Sequence, residues 1–118
     1  MSSYRAERAA PAAVGMYFLP DGAGGIRAAT LDEWAAWFQE MDNVTPFAAG
    51  GRHVGDEVAA DGVRVSTVFM GLSHSLNQLR VFETIVFGGT HDGFQRRYGS
   101  LGEALAGHAS TVQMVKGA

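Results

Sequence analysis

The chain has no cysteine. That excludes a disulfide framework, a thiolate nucleophile and any zinc site built on sulfur. It fits a cytoplasmic protein, where thiol cross-links are rare. Strong positive charge is missing too. The formal net charge is −3, and only Arg96-Arg97 places two basic residues side by side. Electrostatic binders of nucleic acid show a basic stripe and a high pI, so no nucleic-acid partner is expected. No run approaches the roughly 18 apolar residues of a membrane span, so no membrane partner is expected either. The first residues carry Arg5 and Arg8 among alanines but lack the continuous apolar stretch of a signal peptide. The four histidines show neither H-x₃-H nor H-E-x-x-H spacing. No metal and no cofactor are expected.

What is present is an ordinary globular composition. The 118 residues are 47% hydrophobic and 18% charged, too apolar for disorder and enough for one small core. Residues 1–13 read as a flexible N-terminal arm and residues 14–118 as a single α+β domain. A short strand is expected at Val14–Leu19, a turn at Pro20-Asp21-Gly22 and a returning strand at Ile26–Ala28. Thr30-Leu31-Asp32-Glu33 has the form of a capping box. Behind it Leu31, Trp34, Trp37, Phe38 and Met41 recur at helical spacing. Such tryptophans are core residues rather than base-stacking platforms. Asn43 to Gly51 reads as a linker.

The centre of the chain is β-rich. Asp61-Gly62 is a two-residue hairpin signal, because Gly supplies the positive φ of a tight turn. It places Val58 opposite Val65 and Ala60 opposite Val63, so Val54, Val58, Val65, Thr67 and Phe69 are expected on one face. The run continues to Leu72. Val81–Phe87 is the next strand, Gly88 to Gly93 a loop, and Phe94–Tyr98 a shorter last strand. Ser100-Leu101-Gly102-Glu103 opens a second capped helix with Leu101, Ala104, Leu105, His108, Val112 and Val115 on its apolar stripe. The expected fold is a four- to five-stranded, mainly antiparallel meander with both helices packed on one face. The other face carries Val68, Met70 and Leu72. If no helix covers them, they are candidates for an oligomer interface.

Few groups suggest chemistry. Glu83 interrupts an apolar strand, where a carboxylate is costly without a partner. It reads either as a general base or ligand, or as the partner of Arg96 or Arg97 on a neighbouring strand. His74 follows a strand and reads as an acid–base residue or as a loop histidine bonded to a turn. A tight loop would set Glu83 opposite Met70, roughly 13 Å from His74 at about 3.3 Å per residue, too far for a dyad. His108 lies on the apolar stripe of the last helix, where a histidine is usually a satisfied core residue. His53 and His91-Asp92 sit in Gly-rich loops. Gly71-Leu72-Ser73-His74-Ser75 lacks the final glycine of a nucleophile elbow, and Gly22 to Arg27 lacks the Lys-Ser/Thr of a phosphate loop. The candidate binding residues are therefore His74, Glu83, Arg97 and His108, with no catalytic residue assigned.

Several of these segments match a family in order. Leu31-Asp32-Glu33-Trp34-Ala35, Arg64 to Leu72, Phe82 to Gly89, Arg97-Tyr98-Gly99-Ser100 and Glu103 to His108 resemble small proteins common in phage and prophage genomes, especially of actinobacteria. The similarity spans roughly residues 30–115. In that pattern an Asp precedes the histidine after Gly-Leu, where this chain has Ser73, and the following loop is Gly/Pro-rich, where this chain has Ser75 to Arg80. The resemblance implies a phage or prophage origin and brings no catalytic residues. The function expected is that of an accessory protein in the bacterial cytoplasm. It would bind a host protein and self-associate as a homodimer. The alternatives are a small enzyme or nucleotide-binding module with His74, Glu83 and His108 in one pocket, and a minor virion component.

Overall fold

A computed structural model describes residues 16–75 and 77–117; the expected arm at 1–13 lies outside them. The fold is α+β, with two antiparallel sheets and two helices among the described residues. Strands β1 (Phe18–Pro20) and β2 (Ile26–Ala28) form a small hairpin. Asp21 closes its turn by accepting the amide hydrogens of Ala23 and Gly25 on one carboxylate oxygen, at 2.7 and 3.0 Å. Strands β3 (His53–Val58), β4 (Arg64–Phe69), β5 (Phe82–Phe87) and β6 (Gln95–Tyr98) form a meander in sequence order.

Helix α1 (Leu31–Glu40) starts with the expected capping box. Thr30 Oγ1 accepts from the Glu33 amide at 3.1 Å, and Glu33 Oε1 accepts from the Thr30 amide at 2.9 Å. Its two tryptophans join the helix to the end of the larger sheet. The Trp34 indole donates to the Met70 carbonyl at 3.0 Å and the Trp37 indole to that of Gly50 at 2.8 Å. Trp37 also meets the Phe69 ring edge-on. The supposed linker contributes to the core: a 3-10 turn, Phe47–Ala49, buries Phe47 against Phe69 and Phe82. Helix α2 (Leu101–Lys116) packs across all four strands of the meander. Ser100 caps it, accepting from the Glu103 amide at 3.2 Å, but Glu103 reaches back to the Gly99 amide rather than to that of Ser100. Leu105, expected on the apolar stripe, faces solvent, while Gly107 and Thr111 are buried.

The β3–β4 register differs by one residue from the expected one. Val58 pairs with Arg64 and Glu57 with Val65. The loop has three residues, Ala60 to Gly62, closed by the Ala59 amide on the Val63 carbonyl at 2.7 Å. Asp61 and Gly62 both carry positive φ, 65° and 75°, a pair that serves a three-residue loop as well as a two-residue one. One residue of slip reverses every side chain on a strand. Val58 therefore points away from α2 and is 70% exposed, and Gly55 and Glu57 take the inner side. An irregularity between His53 and Gly55 returns Val54 to the core.

The β4–β5 register also departs from the sequence reading. Glu83 pairs with Val68, not Met70. Gly71, at φ 71°, turns the chain out of the ladder, and its amide shares the Val81 carbonyl with that of Met70. Beyond it the chain pairs elsewhere. The Phe18 amide donates to Gly71, the Ser73 amide to Met16, and Leu72 bridges Tyr17. The strand thus ends at Phe69, and Leu72 belongs to a separate join.

The two faces of the meander differ. The inner face, under α2, carries Val65, Thr67, Phe69, Phe82, Thr84 and Val86, all buried. The outer face carries Val58, Arg64 and Phe87 in one row, then Asp56, Ser66, Ile85 and Gln95, then His53, Val68, Glu83 and Arg97. Arg64 grips Asp56 with two hydrogen bonds, 2.9 and 2.8 Å, and lies over the Phe87 ring at 5.7 Å. These hydrogen bonds hold the Asp56 carboxyl below its usual range, against a smaller opposing effect of burial. A carboxyl whose pKa is lower folded than unfolded stabilises the fold above its unfolded value, and that contribution fades as pH falls through the folded value. Arg64→Gln should therefore raise the Asp56 titration midpoint toward the ordinary value near about 3.9. The stability cost should be under about 1 kcal/mol, because the pair is exposed. A carboxyl-detected NMR titration with an unmoved Asp56 midpoint would refute the assignment.

Candidate functional site

The centre of the inner face is polar. Thr67 and Thr84 sit directly opposite each other on β4 and β5, with no exposed surface, flanked by Val65, Val86, Phe69 and Phe82. Buried hydroxyls need partners. Each finds the other at 2.6 Å. Tyr98 on β6 donates to Thr84 Oγ1 at 3.1 Å. On the other side His108 of α2 places Nδ1 2.6 Å from Thr67 Oγ1 and Nε2 3.1 Å from Glu57 Oε1. One row of hydrogen bonds thus crosses the sheet from β6 to β3.

Two glycines make room for it. A Cβ on Gly55 would lie 2.7 Å from His108 Nε2, and a Cβ on Gly107 would lie 2.1 Å from the Tyr98 ring. The imidazole lies over bare β3 backbone, and the Tyr98 ring against bare α2 backbone. The first contact depends on the observed β3–β4 register, because in the expected one Val58 would face α2 and Gly55 would not.

The partners set the direction of every proton. The Glu57 carboxylate can only accept, so Nε2 carries hydrogen. In the neutral ring Nδ1 must then accept, so Thr67 donates to it. Thr67 in turn accepts from Thr84, and Thr84 from Tyr98. Every hydroxyl hydrogen has a use. Protonation of His108 would reverse this order. Nδ1–H would donate to Thr67, Thr67 to Thr84, and Thr84 would receive from two neighbours with no described acceptor for its own hydrogen. The arrangement therefore fits the neutral Nε2–H tautomer.

Hydroxyl, imidazole and carboxylate are also the components of a nucleophilic triad. Here the hydroxyl has no exposed surface, and α2 covers it. A substrate cannot reach Thr67 Oγ1 without displacing the helix. The row is most exposed at Glu57, whose side chain is about half exposed.

The expected candidates do not converge. Glu83 lies on the outer face and His108 beneath the inner one, so the sheet separates them. His74 is exposed in the loop after β4. The pocket of His74, Glu83 and His108 is not formed. Glu83 instead meets Arg97 across β5 and β6, with Arg97 Nε donating to Oε2 at 3.2 Å. That ion pair accounts for a carboxylate only 6% exposed in an apolar strand. Val68, Met70 and Leu72, interface candidates if left uncovered, are all half-buried; Met70 sits beside α1 and Leu72 in the join to Tyr17. The exposed apolar side chains of the outer face are Val58 and Phe87, the latter 47% exposed.

Ser73 acquires a role that the sequence did not suggest. It is fully buried, its hydroxyl donates to the Ser75 carbonyl at 2.8 Å, and it accepts from the Arg80 amide at 3.2 Å. It clamps the loop at both ends. Thr67, Thr84, Tyr98, Gly55 and Glu57 were also missed. Two threonines in facing apolar strands were the available signal, but only the correct register connects them to His108. Among the described residues no group of three or more His, Asp or Glu could hold a metal, and no helix is long and apolar enough to cross a membrane. In comparisons with known proteins, no family model, no curated protein and no solved structure matches this chain.

Proposed function

We propose that this chain is a non-enzymatic accessory protein that acts by binding other proteins and self-associates as a homodimer. The motif resemblance supports a phage or prophage origin, a host protein as the further partner and the bacterial cytoplasm as the place of action. The observation that carries the binding role is the outer row of Val58, Arg64 and Phe87. Two exposed hydrophobes flank a guanidinium that Asp56 holds in place. Aromatic and arginine side chains contribute most where proteins meet, and holding Arg64 beforehand lowers the entropy lost on association. The buried state of Thr67 argues in the same direction, since this triad-like array is closed to substrate.

Light scattering over a range of concentrations tests the dimer. The wild-type chain should approach twice the monomer mass, and the double substitution Val58→Asp, Phe87→Asp should return it to monomer while leaving the circular dichroism unchanged. A wild-type chain that stays monomeric at millimolar concentration overturns self-association. A dimer unaffected by the double substitution overturns the choice of face.

A further inference from the structure

A cleft of about 350 Å³ opens between the edge strand β6 and helix α2, on the opposite side of the molecule's sheet row from Glu57. Arg80, Arg96 and Arg97 line it, together with Tyr98, Glu103 and Ser110. Three of the chain's nine basic residues therefore line one site in a protein of net charge −3, two of them, Arg80 and Arg96, with exposed side chains.

Their charges are only partly used. Elsewhere, Arg27 pairs with Glu33 and Arg64 with Asp56. Arg97 is committed to Glu83 on the outer face, to which it gives Nε. Arg80 makes only a long contact, 3.4 Å, to the Arg97 carbonyl, and Arg96 lies over the Tyr98 ring at 5.6 Å. Among the described residues neither has a carboxylate partner. Glu103 could oppose an anion, but one of its carboxylate oxygens already accepts from the Gly99 amide at 3.0 Å. The Ser73 clamp sets the backbone that carries Arg80, so this guanidinium starts from a fixed point.

We infer that this cleft binds a small phosphorylated ligand, with its phosphoryl oxygens held by Arg80 and Arg96. The choice among anions follows from donor geometry. One guanidinium fork satisfies the two oxygens of a carboxylate, whereas a phosphoryl group presents at least three oxygens in a tetrahedron and takes forks from several directions. The volume lies at the lower end of the range for small-molecule sites, which suits a compact ligand such as a diphosphate monoester. Ser110 adds a hydroxyl and Tyr98 an aromatic face for the ligand's remainder. This site is separate from the Val58–Phe87 row, so it stands or falls independently of the protein-binding reading.

The test is an amide NMR titration of the full chain at constant ionic strength with pyrophosphate, inorganic phosphate and acetate. Pyrophosphate should give saturable shifts confined to the amides around Arg80, Arg96 to Gly99 and Gly107 to Ser110. Phosphate should bind more weakly and acetate should give none. Arg80→Gln and Arg96→Gln should each weaken pyrophosphate binding about tenfold, the loss of one charge-assisted contact. Arg27→Gln removes the same charge from the β1–β2 hairpin and should change nothing. All three side chains are exposed, and a dispersed spectrum reports that each variant is folded. Unsaturable shifts with pyrophosphate, or equal weakening by all three substitutions, overturns the assignment. Equal binding of acetate overturns the phosphoryl class.

Discussion

Gly107→Ala should destabilise the protein by about 2 kcal/mol or more, although alanine is the better helix former. Alanine in place of glycine gains roughly 1 kcal/mol in a helix interior. Against this, the added methyl would sit 2.1 Å from Tyr98 Cε1 and 2.2 Å from its hydroxyl oxygen. The ring is buried, belongs to the main core and its hydroxyl donates to Thr84, so any retreat costs packing and that bond. Overpacking of this kind costs typically about 1–3 kcal/mol and occasionally more. Here it also threatens the Tyr98–Thr84 bond. Gly102 on the same helix supplies the control. A Cβ there meets nothing within 4 Å, so Gly102→Ala should stabilise by up to about 1 kcal/mol. Urea unfolding followed by circular dichroism reads both. If the two substitutions move the midpoint in the same direction, the close approach of α2 to β6 is wrong.

Thr67→Val should cost about 2–4 kcal/mol, more than Thr67→Ser, the reverse of the order expected from hydrophobicity. Valine keeps the shape and removes the hydroxyl. It leaves His108 Nδ1 without a donor and Thr84 without an acceptor, and an unsatisfied buried group costs about 1–3 kcal/mol. Serine keeps the row intact and loses one methyl, worth about 0.8 kcal/mol. Nitrogen chemical shifts of the imidazole give a second readout. In the wild type His108 should carry its hydrogen on Nε2 at neutral pH. A valine variant as stable as the wild type would mean that the row contributes nothing, and a hydrogen found on Nδ1 would contradict the order of donors.

Much of this architecture is readable from residue order alone. The Thr30–Glu33 box, the apolar spacing from Trp34 to Phe38 and the alternation along β4 each specify local structure through nearest neighbours. The outcome depends on side chains three or four apart, or two apart, and tertiary context does not override it. Loop length is another matter. Asp61-Gly62 marks where the chain turns but not how many residues turn with it, because two consecutive positive φ angles suit both loop types. That single ambiguity decides whether Val58 or Glu57 faces α2. It also explains why the row through His108 was invisible: its members come from five separate elements and meet only when Gly55 lies beneath the imidazole. Glu83 was legible as an oddity, and its partner was legible as a type, an arginine on the next strand. The pairing of Ser73 with its own loop was not, since a hydroxyl has many possible acceptors within reach.

The join between Met16–Phe18 and Gly71–Ser73 bears on the order in which the chain assembles. Each hairpin of the meander links strands that are neighbours in sequence, whereas this join spans β2, α1, β3 and β4. Closing so long a loop loses chain entropy before any contact is gained in return. The meander is therefore expected to form first, with the β1–β2 hairpin docking on it afterwards. The turn at Gly71 is then more than the end of a strand. It is the place where a late-arriving segment finds amide and carbonyl groups left open for it.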